Sequence, residues 1–363
     1  MTILIPLIAI IILVVIHELG HFFAAKAVGV KVMEFAVGFP PRVVSFVKNG
    51  TKFSFGALLL GGFVKLKGDE IDSTDTEHDS FSGARAYRKI IILVAGVVMN
   101  FIAAWFIFLV LFTKGVSLPS ESLPKSLIDN ETKDTPILSI YSVQTGSPAD
   151  LADLPVKVKI TGIQNSSLEK EIFNPTREQF ISEAKKGLPL SVAFEGAEEV
   201  VIVTPDIIDG ENKIGVALVE DLTIKKPFIS AVGTSLQYTV FLSAETMKGF
   251  FNAIHAMVVP SDDKGDIPLK DSVTGPIGIV KMLGTTLSEG YSLFLVLVAI
   301  ISINLAVLNI LPLPILDGGR ILIVLYETIR RKKISKNAQA VISIVGIFII
   351  VSLAVFGTIN DLS

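Results

Sequence analysis

His17-Glu18-Leu19-Gly20-His21 stands inside a run that is otherwise apolar from Ile3 to Ala25. Ionisable groups at that depth of a hydrophobic segment are expensive to keep, and they mark a functional site. On a helix, His17 and His21 are four residues apart and project from one face. Two imidazoles so placed can hold a zinc ion, with Glu18 beside them as general base. The alternative is a chance HExxH whose histidines satisfy each other or a backbone carbonyl within a bundle. Hydrocarbon disfavours it, because polar groups there need a specific partner and a metal supplies one.

The run around this motif is about 20 residues, roughly what a ~30 Å hydrocarbon core requires. It begins uncharged and carries the motif where a cleavage site would fall, so it reads as a span and not as a cleaved leader. Ile90 to Phe112, Leu293 to Leu311 and Ala338 to Phe356 are three further runs of this kind, which makes four spans. Half of the 363 residues are hydrophobic and 18% are charged, and the mean hydropathy is +0.63. That balance describes an integral membrane protein with some soluble mass. The net charge of −3 offers no pointer to nucleic acid, which is not among the expected partners. There is no cysteine, so disulfides and thiolate chemistry are excluded and any metal must be held by histidine and carboxylate.

Phe228 to Ala244 is uncharged too, but Phe228, Val232, Leu236 and Val240 recur every four residues. The pattern resumes at Met247, Phe250 and Phe251, with Gln237, Glu245, Lys248 and Asn252 interspersed. This predicts an amphipathic helix lying on the membrane or against the bundle, with His255 on its polar face. Basic residues set the orientation: Arg330, Arg331, Lys332, Lys333 and Lys336 between spans three and four, and Arg85, Arg88 and Lys89 before span two. Both flanks read as cytoplasmic, which puts residues 114 to 290 outside. At ~1.5 Å per residue, His17 lies roughly 20 Å along a helix starting at Ile3, towards the cytoplasmic face.

Catalytic zinc usually has three protein ligands and one position for water. Among carboxylates near the spans, Asp317 stands out in Asn309-Ile310-Leu311-Pro312-Leu313-Pro314-Ile315-Leu316-Asp317-Gly318-Gly319, directly after span three. Pro312 and Pro314 interrupt the helix, and irregular backbone at membrane depth is tolerated where it lines a cavity or is buried in protein. Span three runs inward as span one does, so Asp317 and the histidines arrive near the same face. The other reading of Asp317 is an N-cap for a helix from Gly318 to Ile329.

Between spans one and two, Val43 to Val47 and Lys52 to Phe55 flank Asn49-Gly50, a hairpin signal, and Ala57 to Lys67 adds a strand-like run. They predict a small sheet at the cytoplasmic mouth. Gly68 to Ser82 is acidic and reads as a solvated, mobile loop in which His78 has no ligand role. Residues 114 to 134 read as a linker. From Ile137 to about Glu220, strands at Ile137 to Val143, Val156 to Ile163, Leu190 to Phe194, Val200 to Thr204 and Ile214 to Val219 enclose helices at Pro148 to Leu154 and Arg177 to Lys186. That is a small soluble α+β domain.

His17 to His21 together with the Asn309 to Gly319 motif resembles the site-2 protease family of intramembrane zinc metalloproteases, and within it the bacterial regulator-of-sigma-factor proteases. Gly38-Phe39-Pro40, Gly61-Gly62-Phe63-Val64-Lys65, Ala95-Gly96 with Asn100, and Gly275-Pro276-Ile277-Gly278-Ile279 match as well. The resemblance implies a polytopic α-helical membrane protein with four transmembrane helices, a membrane-associated β-hairpin sheet and an inserted extracytoplasmic PDZ-like domain. The expected division is a membrane half at 1–113, a linker at 114–136, the PDZ-like domain at 137–222, an amphipathic and connecting region at 223–290 and a second membrane half at 291–363. It implies His17, His21 and Asp317 as Zn2+ ligands and Glu18 as the catalytic acid/base. Asn309 would hold substrate or the developing oxyanion, as acyl-transfer chemistry uses such amides; the other reading is a hydrogen bond between spans.

The implied location is the bacterial inner membrane, with the active site towards the cytoplasm. The implied substrates are transmembrane proteins already shortened outside, such as anti-sigma factors or signal-peptide remnants; no oligomeric state is implied. One departure concerns Lys157-Val158-Lys159-Ile160-Thr161-Gly162, which replaces the family's usual Gly-Asp turn and Ile-Asn-Gly and puts peptide-tail binding in doubt. A protease acts on extended backbone, and Gly61 to Lys65 is the strand edge expected to pair with it, Phe63 shielding the pair from water. The other reading is that the two glycines only bend a hairpin. Competing functions are an inactive scaffold of the same fold, which would have lost a ligand or Glu18, and a membrane metal carrier, which would need ligands across the bilayer.

Overall fold

The apolar run around the two histidines is one helix, α1 (Leu4–Ala27), in the computed structural model of the chain. The structure describes residues 3–70, 75–131, 137–165, 171–197, 199–208, 210–258, 275–313, 316–332 and 334–362. Residues 71–74 of the acidic stretch, Pro314, Ile315 and Lys333 therefore lie outside the described residues. α1 ends where Gly29, at φ 80°, lets the chain turn, and the Val28 and Val30 amides cap the carbonyls of Ala24 and Ala25. A left-handed glycine just past the last turn is a standard helix stop.

Two long strands follow, β1 (Val32–Lys48) and β2 (Thr51–Leu66), joined at Asn49-Gly50. Both turn residues have positive φ, 50° and 74°, as the hairpin signal requires. The strands fold back on themselves, so the pairing runs in four antiparallel rows. Residues 44–48 pair with 51–55, these with 34–37, and 34–37 with 62–65. Gly38, at φ 83°, makes the bend in β1, and a side chain there would press on the Gly56 and Leu58 carbonyls at 2.9 Å. The row 62–66 is thus an edge. Next comes α2 (Ala86–Lys114), which meets α1 at Gly20, where a side chain would stand 2.9 Å from the Gly96 Cα.

The chain divides into two units, Met1–Leu111 with Ser235–Ser363, and Phe112–Thr234. The second opens with β3 (Val116–Pro119) and α3 (Lys125–Glu131), so the stretch expected as a linker carries ordered structure. The reason is the alternation of buried Val116 and Leu118 with exposed neighbours, which suits a strand. Then come β4 (Ile137–Val143), α4 (Pro148–Leu151), β5 (Ile160–Asn165), β6 (Ile172–Phe173), α5 (Arg177–Lys185), β7 (Leu190–Phe194), β8 (Val201–Val203), β9 (Asp206–Ile208), β10 (Glu211–Lys213) and β11 (Val216–Ile224). They form a sheet β3-β11-β4, a sheet β6-β5-β7-β8 and a β9-β10 ribbon. α5 starts on a reciprocal cap between Thr176 and Gln179. Its Phe180 closes a core with Ile140, Ile163, Leu190 and Val192.

The chain returns through α6 (Phe228–Val258), α7 (Pro276–Glu289), α8 (Tyr291–Ile310), α9 (Asp317–Arg330) and α10 (Lys336–Leu362). Among the described residues, α1, α2 and α8 are long and apolar enough to cross a membrane. The fourth expected span is the 27-residue helix α10. α6 is one helix of 31 residues, and its inward face is not the apolar row read from the sequence. Ala231, Ser235, Tyr238 and Thr239 are buried, while Phe228, Leu236 and Val240 are exposed. Hydroxyls tolerate burial because they bond back to the helix: Thr239 donates to the Ser235 carbonyl at 2.8 Å and Ser243 to Thr239 at 2.8 Å. The α10 carboxylate Asp361 caps α7, accepting from the Gly275 and Gly278 amides at 3.0 and 2.7 Å.

Candidate metal centre

α1 projects His17 and His21 from one face, their rings edge to face with centroids 4.8 Å apart. Asp317 reaches them from the first turn of α9. After Ile310 the backbone leaves the helix at Leu311, turns through Leu313 and Leu316, and re-enters a helix whose cap residue is Leu316. Gly318 fits against the carbonyls of Ile310 and Leu311, so the carboxylate is aimed back at α1. The helix start carries no side-chain cap, and Asp317 is therefore not serving as an N-cap.

Asp317 Oδ2 stands 3.2 Å from His17 Nε2 and 3.3 Å from His21 Nε2. The two Nε2 atoms are 3.1 Å apart. Ligands about 2.0–2.1 Å from a tetrahedral ion would be separated by about 3.3 Å, so this triangle fits zinc. Oδ2 is buried with no hydrogen-bond partner, a condition that a cation relieves. His21 Nδ1 lies 2.8 Å from the Ile92 carbonyl. Its proton belongs on that nitrogen, which leaves the Nε2 lone pair free for a metal.

Glu18 lines the same cavity of about 440 Å³ as His17, His21, Asp317 and Asn309, and Phe63, Val64 and Lys65 form one wall of it. Val64 and the Glu18 side chain line this cavity together. Gly62 faces Glu18 as well, at a spacing where an added methyl group would sit 3.4 Å from the Glu18 Cγ. Gly61 instead faces the Phe39 ring. Phe63 stacks on Phe39 at 6.5 Å and beneath the Arg42 guanidinium at 5.2 Å. Arg42 is in turn paired with Glu34 at 3.0 Å. Lys65 points to Glu70 at 2.9 Å.

Sequence reasoning missed a second set of polar groups in this cavity. Arg320, one turn after Asp317, pairs with Asp69 and covers the Phe81 ring at 5.2 Å. Burial pushes the Asp69 carboxyl up from the usual range, with Arg320 pulling the other way. Of the stretch expected as a solvated, mobile loop, Asp69 is held in this way, and Glu77 and Asp79 are held by Lys67 at 2.5 and 2.7 Å. Ser80 and Phe81 are buried. The available signal was the large apolar Phe81 at the end of an acidic stretch; the distance in chain from Asp69 to Arg320 hid the pair.

The profile of peptidase family M50 matches residues 5–353. A protein of Campylobacter jejuni named as a zinc metalloprotease is 32% identical over 97% of this chain and 90% of its own length. One of Clostridium acetobutylicum with the same kind of name is 29% identical over 99% of this chain and 96% of its own. The regulator of sigma E protease of Haemophilus influenzae is 26% identical over 98% of this chain and 97% of its own.

Proposed function

The chain belongs to peptidase family M50 and is an intramembrane zinc metalloprotease, and from that premise we propose that His17, His21 and Asp317 hold its zinc and Glu18 its proton traffic. The observation that carries the assignment is the triangle of ligand atoms with edges of 3.1–3.3 Å. A zinc ion held by these three side chains would supply a water of pKa about 7 and a Lewis acid for the scissile carbonyl. Glu18 takes the proton of the attacking water and passes it to the leaving amine nitrogen. Asn309, on the same cavity wall, offers an amide to the substrate or to the oxygen that gains charge. The edge row Gly62 to Lys65, with Gly61 leading into it, pairs with an unwound substrate segment and delivers it alongside Glu18.

Four spans are the reading that suits α10: its 27 residues extend about 40 Å at 1.5 Å each. With Arg330, Arg331 and Lys332 before it, the active site faces the cytoplasmic side of a bacterial inner membrane and Phe112–Thr234 stands outside. The apolar, outward row of α6 then meets lipid. We read the core of the outer unit, 137–222, as PDZ-like. A groove of about 660 Å³ between Phe180, Ile181 and Ala184 of α5 and Val216 to Leu218 of β11, with Gly215 just before it, supports this. Lys157 to Gly162 does not line it, so the departure there does not bear on the groove. The substrates are transmembrane segments of membrane proteins, for which the name of the Haemophilus relative, regulator of sigma E protease, is the support; we read them as first shortened outside.

The deciding experiment measures zinc content and cleavage of a model transmembrane peptide by the purified chain. One equivalent of zinc in the unaltered protein and none in His17→Ala supports the assignment. Full zinc in His17→Ala would sink it.

A further inference from the structure

A histidine that ligates a metal through one ring nitrogen carries its proton on the other, and that N–H needs an acceptor which also fixes the ring's orientation. For His21 the acceptor is the Ile92 carbonyl, 2.8 Å from Nδ1. His17 turns Nε2 towards Asp317 and His21, so its proton falls on Nδ1. The polar group beside that atom is the Asn100 amide. Asn100 is fully buried; its Nδ2 lies 3.4 Å from His17 Nδ1, and its Oδ1 is buried with no partner. Two donors would then face each other while an acceptor faced nothing. Half a turn of the amide, which exchanges two atoms of equal size, resolves both.

The backbone of Asn100 is held separately, its carbonyl accepting from the buried Ser302 hydroxyl of α8 at 2.8 Å. Ile92, Gly96 and Asn100 follow one another at intervals of four and so share one stripe of α2. Gly96 stands between the other two, and a methyl group there would lie 2.5 Å from His21 Nε2 and 2.7 Å from His17 Cε1. We propose that this stripe is the back plate of the metal centre, and that Asn100 is a positioning residue whose side-chain oxygen accepts from His17 Nδ1–H and so presents Nε2 to the metal. The inference rests on the zinc assignment above.

The test is zinc affinity of the full-length chain in detergent, read by competition with a chromophoric chelator, for Asn100→Leu and Asn100→Asp. A carboxylate can accept from Nδ1–H but cannot donate, whereas leucine fills the space and does neither. The leucine variant is expected to lose about 10- to 100-fold in affinity, the size typical of an outer-shell partner, and the aspartate variant to stay within a few fold of the parent. Should the leucine variant not accumulate, Asn100→Ala reads the same loss. Equal losses in Asp and Leu would mean that the amide donates, and parental affinity in Leu would mean that it only fills space; either result overturns the proposal. Zinc retained by His17→Ala would instead overturn the underlying assignment, so the two failures are distinguishable.

Discussion

Glu18 and Asp317 are carboxylates beside the same two imidazoles, yet their surroundings give them different tasks. Asp317 puts an oxygen with no hydrogen bond into the triangle, whereas Glu18 lies outside that triangle, on the lining of the cavity beside it. Glu18→Gln should therefore keep one zinc and lose about 10²- to 10⁴-fold in turnover, the usual weight of a general acid/base; loss of zinc would make Glu18 a ligand. Asp317→Asn should weaken zinc by more than the roughly 10- to 100-fold of an outer-shell change, measured by the same chelator competition. Normal affinity would move the third ligand elsewhere. Motif spacing made these residues legible, because one helical face is a local property of the chain. Asp69, Arg320 and Asn100 were not legible in their roles, because each acts on a residue from another element.

The strand edge can be tested more sharply than its sequence alone allowed. Val64 lies in the outer row, registered against Phe35, so proline there removes one backbone donor from the edge while barely changing hydrophobicity. Val64→Pro is expected to cut kcat/KM on a helical transmembrane substrate roughly tenfold, the equivalent of ~1.4 kcal/mol, with zinc content unchanged. Parental turnover would take the row out of the mechanism. The start of α9 offers a second test at this scale. Arg320→Met leaves the Asp69 carboxylate facing the cavity unpaired and should lower stability by about 1–3 kcal/mol, seen as a lower midpoint of thermal unfolding. Adding Asp69→Asn should recover part of that loss, and no recovery would mean that the two side chains are not coupled. α6 shows why element faces are harder to read than elements: its period was visible, but which face turns inward depends on what surrounds the protein.

Across the whole chain, the absence of cysteine makes single introduced thiols unambiguous reporters of orientation. In intact cells a membrane-impermeant thiol reagent should label Glu178→Cys, exposed on α5, and spare Ser335→Cys, exposed before α10. The reverse pattern would invert the proposed topology. What could be read without coordinates was whatever depends on neighbours in sequence. Helical spacing paired the histidines, the apolar runs became long helices, Asn49-Gly50 formed its hairpin, and the strands Ile137–Val143 and Leu190–Phe194 have the bounds expected for them. What needed the folded chain was whatever depends on return from a distance. It comprises the four-row doubling of β1 and β2, the aim of Asp317 after the break in the helix, the Asp69–Arg320 pair and the α2 stripe behind the imidazoles. Local periodicity is written in side-chain order, but a metal site closes only when elements hundreds of residues apart meet at atomic distance, and that meeting is set by packing around Gly20, Gly96 and Gly318, where the missing side chains leave room.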